Sequence, residues 1–253
     1  MTVEGPGVRR RAVLFAAPAL VAACAAPSPV PAALPPATTA PPTTAPPTTS
    51  APPTGPAQEL VTASTGRAEV ALTFHGAGDP ELAGRVLAGL ADRGAAATVL
   101  AVGTWLQSYP DVARMTVDHG HELGNHTWSH PTLTTLDEAG VRAEIERCRD
   151  RLVALTGGPG AFFRPSAAQH ATKQVRELAG AAGYPRVLSY DVDSRDFTDP
   201  GAAAIRRNVA AARAGSVVSL HLGHPGTLAA LPGLLDDLAA RGLSPVTATR
   251  LFT

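Results

Sequence analysis

Two imidazoles stand four residues apart in Gly124-Asn125-His126-Thr127-Trp128-Ser129-His130-Pro131. On a turn of helix that i, i+4 spacing puts both rings on one face, where they share a ligand. Neutral imidazole is the commonest protein ligand for zinc and similar ions. Taken alone, the spacing is equally that of two unrelated surface histidines. The positions of other polar residues give it weight. His75, Arg164, the trio Asp191, Asp193 and Asp196, and finally His221 each stand at or just beyond the end of a short apolar run.

The elements that must carry these groups alternate. Residues 70–74, 97–102, 122–124, 161–164, 186–192, 216–220 and 244–249 read as strands. Helical patterns fill 80–93, 104–118 (interrupted at Pro110), 137–155, 173–182, 201–214 and 228–241. Strands that are apolar at nearly every position, each followed by a helix, predict a parallel sheet buried on both faces. No glycine-rich phosphate loop follows the first strand, which weighs against a nucleotide-binding open sheet and favours a barrel, complete or not. On that reading the polar residues all fall at the carboxyl ends of parallel strands, where barrel enzymes build their active sites.

At this point residues 58–253 resemble the polysaccharide deacetylases, the NodB-like carbohydrate esterases. Gly120-His121-Glu122-Leu123-Gly124-Asn125-His126-Thr127-Trp128-Ser129-His130-Pro131 is very near the family's histidine motif, whose two histidines, here His126 and His130, are metal ligands. Phe163-Arg164-Pro165 is similar to the motif whose arginine orients the catalytic base. Asp193-Ser194-Arg195-Asp196-Phe197 resembles the DxxDW motif, with Phe197 where tryptophan is usual. Leu220-His221 resembles the last motif, whose histidine is the general acid. The resemblance implies a distorted (β/α)7 barrel and assigns Asn125, Asp193 and Phe197 to substrate contact.

The first motif departs from the family pattern Thr-Phe-Asp-Asp-Gly-Pro, reading Thr73-Phe74-His75-Gly76-Ala77-Gly78 before Asp79-Pro80. His75 stands where the base aspartate is expected and Gly76 where a ligating aspartate is. Ser219 replaces the leucine usual beside the acetyl methyl, and no aspartate follows His221. Hydrolysing an acetamide needs an activated water, stabilisation of the oxyanion and a proton for the leaving amine. A divalent metal supplies the first two, and His221 held by Asp196 would supply the third.

Two arrangements are open for His75. In the preferred one it joins His126 and His130 as a three-histidine zinc site with an open position, and Asp79 or Asp193 is the base. In the other, His75 is itself the base. The implied protein is a metal-dependent hydrolase removing N- or O-linked acetyl groups from a cell-wall or envelope glycan. A non-catalytic glycan-binding module on the same fold is the competing reading. Asp79 before Pro80 is also an ordinary helix N-cap.

Lys+Arg 21 balances Asp+Glu 21, which gives no electrostatic footprint for nucleic acid. Residues 1–24 read as an export signal: Arg9-Arg10-Arg11, a short apolar run, then Val21-Ala22-Ala23-Cys24, similar to a bacterial lipobox, with Cys24 as the lipid acceptor that would reach a membrane. Residues 25–57, almost all Pro, Thr, Ala and Ser, read as an extended tether. The expected location is therefore outside the cytoplasm, on the membrane or at the wall. With Cys24 in the signal, Cys148 has no disulfide partner and reads as a bystander.

Overall fold

The computed structural model describes residues 55–253. The predicted export signal, Cys24 and most of the tether lie outside the described residues. Among the described residues there are eight short strands: β1 (Gln58–Leu60), β2 (Glu69–Gly76), β3 (Thr98–Ala101), β4 (Glu122–Asn125), β5 (Arg186–Leu188), β6 (Val192–Asp193), β7 (Val217–His221) and β8 (Ser244–Val246). The helices are α1 (Pro80–Ala91), α2 (Gly103–Ser108), α3 (Pro110–Asp118), α4 (Glu138–Thr156), α5 (Lys173–Ala181), α6 (Ala202–Val209), α7 (Pro225–Ala240) and α8 (Ala248–Leu251). Their ends carry the expected chemistry. Asp79 and Asp137 cap α1 and α4, and Gly157, at φ +79, stops α4 in the left-handed conformation that glycine adopts without strain.

All the strand ladders are parallel, in the order β4-β3-β2-β7-β6, with β8 beside the start of β2 and β1 beside β5. Bridges through Phe163 link β4 to β5, and an antiparallel bridge from Thr62 to Ser216 links the end of β1 to the start of β7. The strands thus follow a ring, and the expected distorted barrel is an interrupted one.

Each interruption has a local cause. The strand predicted over 161–164 is reduced to bridges at Phe163, because Pro159 and Pro165 flank it and lack the N–H a ladder needs. The strand predicted over 186–192 splits because the chain changes neighbours at Tyr190. The Ser189 N–H donates to Leu60 O at 2.8 Å, whereas the Asp191 N–H donates to Val217 O at 3.2 Å. The last predicted strand stops at Val246, where the Thr247 side chain caps α8. Neither β1 nor α8 was predicted.

Strand alternation sorts the side chains. Val70, Leu72 and Phe74 of β2 join Val218 and Leu220 of β7 and Val99 and Ala101 of β3 in the main apolar cluster with α1, α6 and α7. The intervening Thr73 and His75, and Ser219 and His221 in register with them, fall on the opposite face, inside the ring. Cys148 of α4 is buried behind β3, its thiol donating to Ala101 O at 3.4 Å, and burial pushes the thiol up to about 12. Among the described residues no helix is long and apolar enough to cross a membrane.

Gly124 lies at a close approach of neighbouring strands beside the histidine loop. A Cβ there would lie 2.7 Å from Leu100 Cδ1 and 2.8 Å from Phe162 O. The oxygen belongs to backbone and cannot swing away, so Gly124→Ala is expected to destabilise the fold by about 1–3 kcal/mol, the usual effect of overpacking. A chemical denaturation midpoint equal to that of the parent would contradict this.

Candidate active site

His75 and His221 end adjacent strands in register, and their rings stack with centroids 4.3 Å apart. The His221 Nδ1–H donates to Asp196 Oδ1 at 2.7 Å. The other oxygen, Oδ2, accepts the His221 N–H at 2.7 Å and the Thr227 hydroxyl at 2.6 Å. Burial alone would raise the Asp196 pKa. The His221 hydrogen bond and charge, with Thr227 and the backbone amide, outweigh burial and hold it below its ordinary value. A carboxylate fixed in this way sets the His221 tautomer and leaves Nε2 as the ring position for proton transfer.

The histidine loop is ordered from the core outwards. The Asn125 side chain is wholly buried, donates to Ile145 O at 2.8 Å and the Tyr184 hydroxyl at 3.0 Å, and accepts the Thr127 N–H at 2.8 Å. The Asn125 side chain, expected at the substrate, is in this structure a strut for the loop. Ser129 is held by Glu144 of α4, through its N–H at 2.7 Å and its hydroxyl at 2.8 Å.

His126 Nδ1 faces the Arg164 carbonyl at 3.0 Å and must donate to it, so its Nε2 is an acceptor. That nitrogen lies 2.7 Å from His75 Nδ1, which then carries the proton. His75 Nε2 is left to accept from the Ser219 hydroxyl at 3.0 Å. Burial, followed by the positive charge of neighbouring groups, pushes His75 and His126 well below the ordinary histidine range, and burial lowers His130 as well.

Ligating atoms of His75, His126 and His130 all lie within 4.8 Å of one another. The structure thus gathers the three histidines that the sequence grouped. It does not add a carboxylate to them. Gly76 has no room for one: a Cβ would lie 2.8 Å from Val99 Cγ1, 3.0 Å from Ala101 Cα and 3.1 Å from Trp105 Cζ3.

Asp79 does not join the site either. It is exposed, and its Oδ1 accepts the N–H groups of Glu81 at 2.8 Å and Leu82 at 3.3 Å, so its observed role is the helix cap. Arg164 lacks the carboxylate it was expected to orient. Its buried guanidinium donates to Leu188 O at 2.7 Å, to the Thr73 hydroxyl at 2.9 Å and to Ser189 O at 3.4 Å, and Nη1 lies 3.5 Å from His75 Nε2. No acid side chain among the described residues pairs with it. Burial pushes its pKa down to about 9.

These groups face a pocket of about 230 Å³ whose lining includes His75, His130, Asp193, Phe197, Ser219 and His221. Asp193 is thus the carboxylate of the pocket, although its Oδ1 already accepts the Arg195 N–H at 2.9 Å. Phe197 is 47% exposed and its ring lies 5.4 Å from that of His221, a usable apolar platform for a sugar face. A larger groove of about 560 Å³ between α6 and α7 contains none of these groups.

Sequence reasoning missed Tyr190 and the loop residues Ala167, Ala168 and Gln169, which complete the pocket. Tyr190 was hidden inside a supposed continuous strand. The length of the loop between Arg164 and α5, at the carboxyl end of a strand, was the available signal. Among the described residues, the non-glycine residues with left-handed backbone are Thr127, His130, Ala167, Arg195 and Asp199, all in the loops that carry or border the site. Such strain persists only where surrounding contacts over-determine it, and it concentrates at functional sites.

Residues 62–187 match the family model for polysaccharide deacetylase. A peptidoglycan-N-acetylglucosamine deacetylase of Bacillus cereus is 30% identical over 74% of this chain and 69% of its own length. A chitooligosaccharide deacetylase of Rhizobium leguminosarum bv. trifolii is 30% identical over 68% of this chain and 86% of its own. The chain belongs to the polysaccharide deacetylase family. Among solved structures, a carbohydrate esterase family 4 pseudoenzyme from Bacillus anthracis superposes with a TM-score of 0.72, covering 77% of this chain and 68% of that one. At 24% identity that likeness concerns the fold.

Deacetylases of this family are metal-dependent, and the donor set here fits a divalent ion. Three imidazoles converge, all shifted toward the neutral, ligating form, and His126 is oriented by a backbone carbonyl through its other nitrogen. His75 would have to exchange its hydrogen bond with His126 for the ion.

Two predictions follow from this geometry. Restoring a carboxylate by Gly76→Asp is expected to destabilise the fold by about 1–3 kcal/mol or more, since the side chain enters packed backbone. Denaturant melts at neutral pH test it, and an unchanged or raised stability would contradict the packing argument. The histidines also set a pH dependence. Unfolded, they bind protons near the ordinary value of 6.5; folded, His75 and His126 do so only well below it. Their contribution to stability is thus complete above 6.5 and is lost as the pH falls below it. In chelator-treated protein the melting temperature should drop between about pH 7.5 and 5.5, and His75→Asn should flatten the drop. Parallel profiles for parent and variant would exclude His75 as a source.

Proposed function

We propose that this protein is a metal-dependent deacetylase acting on an acetylated cell-wall or envelope polysaccharide. The observation that carries the reading is the Asp196–His221 pair, 2.7 Å apart and set beside the three converging histidines. A binding site has no use for an imidazole held by a buried carboxylate, whereas a departing amine or alkoxide needs its proton. In this reading His75, His126 and His130 hold the ion, with zinc the expected one from the ligand type. When bound, such an ion lowers the pKa of water and polarises a carbonyl.

The remaining work falls to the chain itself. Phe197 and Tyr190 flank the sugar. Asp193 is the carboxylate nearest the role of base, since Asp79 is occupied as a cap. His221 Nε2, with its tautomer fixed by Asp196, delivers the proton to the leaving group as the acyl–nitrogen or acyl–oxygen bond breaks. The export pattern in residues 9–24, with Cys24 as lipid acceptor, supports a substrate outside the cytoplasm, as do the wall and chitin oligomers named for the relatives.

The second reading, a glycan-binding module without turnover, is favoured by one feature: Arg164 is buried with no carboxylate partner, and neither position of the first motif supplies one. Metal content and acetate release separate the two. The purified parent should carry one equivalent of metal, and His75→Ala should lose most of it. His221→Ala should keep the metal and lose about 10²–10⁴-fold in acetate release from N-acetylated chito-oligosaccharide or peptidoglycan, the usual share of general acid catalysis. Glycan affinity with no acetate release, indifferent to His221→Ala, would move the protein to the binding class.

A further inference from the structure

Glu59 lies on β1, ahead of the residues that match the family model, and no motif draws attention to it. Its Oε1 accepts three hydrogen bonds: from the Ser189 hydroxyl at 2.6 Å, the Ala171 N–H at 3.0 Å and His170 Nδ1 at 3.1 Å. The donors come from two walls of the site pocket. Ser189 immediately precedes Tyr190, one wall. His170 and Ala171 end the loop whose residues 167–169 form the other.

That loop, residues 165–172, has no helix or strand of its own and is exposed from 167 to 170. It runs like a strap across the site. At its start the Ser166 hydroxyl donates to Pro131 O, next to His130. In its middle Gln169 Nε2 donates to Tyr190 O at 2.9 Å. Its far end is fastened by the Glu59 carboxylate, whose side chain is only 20% exposed. Hydrogen bonds to an ionised acceptor are about twice as strong as neutral ones, so this end is the firmer of the two side-chain anchorages near Tyr190.

We infer that Glu59 is a positioning residue: it fastens the 165–172 strap to the strand end bearing Tyr190 and so fixes the width of the pocket that receives the sugar. It does this without touching substrate. The role in turnover rests on the deacetylase reading above, whereas the fastening does not.

The test uses the full chain and its Glu59→Ala and Glu59→Gln variants, with tetra-N-acetylchitotetraose and a small aryl acetate as probes. Glu59→Ala should speed hydrogen exchange of backbone amides 166–171 about tenfold or more, the effect of losing a charged acceptor. It should raise KM for the oligosaccharide about tenfold while kcat stays within about twofold, and leave the aryl acetate unaffected. Glu59→Gln, which keeps one acceptor oxygen in place, should fall between the parent and Glu59→Ala. Unchanged exchange would overturn the inference, as would equal losses in kcat and KM accompanied by a lower melting temperature. If the parent releases no acetate, the deacetylase reading fails alone. Calorimetric affinity for the same oligosaccharide then replaces KM, with about tenfold weakening expected in Glu59→Ala and equal affinity contradicting the role.

Discussion

Arg164 is charged, wholly buried and surrounded by oxygens that belong to other parts of the chain. Its guanidinium gathers Leu188 and Ser189 from the β5 end and Thr73 from β2, while its own carbonyl sets the tautomer of His126. Its N–H donates to Asn125 O at 2.9 Å, tying it to the end of β4. A buried cation without a counter-charge is unfavourable unless every donor is occupied. Here two carbonyls and one hydroxyl take the donors of Nε and Nη2, Nη1 faces His75 Nε2 at 3.5 Å, and these contacts hold strand ends together where the sheet ladder is broken. The group that the family uses to orient an acid is, in this chain, chiefly a cross-tie.

The same substitution that frees Arg164 of its acid reorganises the histidines. With an imidazole at position 75, a chain of defined donors and acceptors runs from the Ser219 hydroxyl through His75 and His126 to the Arg164 carbonyl. Each step follows from the fact that a carbonyl only accepts. The neutral state of these rings, enforced by burial, suits them to ligation and also allows them to satisfy one another. An ion bound here would compete with the His75–His126 hydrogen bond for the same lone pair.

How far the sequence revealed this depends on the kind of constraint involved. Strand order along the chain is strictly local, so the placing of His75 and His221 at the carboxyl ends of parallel strands was legible, whereas the shared face of Thr73, His75, Ser219 and His221 emerges only from the register of β2 and β7. The i, i+4 histidines and the Asp196–His221 pairing were equally readable, although the loop around His130 is left-handed and not helical. The failures share a different origin. Asn125 is expected at the substrate from its place in the histidine motif, but burial turns its amide to α4 and Tyr184. Asp79 was a candidate base only so long as its distance from the pocket was unknown. Tyr190 went unnoticed because the change of strand neighbours that exposes it depends on β1, a three-residue strand with no periodic signal of its own.

Cys148 offers a consequence of another sort. Among the described residues it is the one cysteine, and its thiol is sealed between α4 and β3, hydrogen-bonded to the carbonyl that also receives the His126 N–H. With its ionisation suppressed by burial, it is inert toward alkylating reagents and oxidants while the helix stays seated. The thiol therefore works as a native clock for local opening. The rate at which it becomes modified counts how often α4 lifts from the strand beneath the histidine loop, with no label or engineered probe needed.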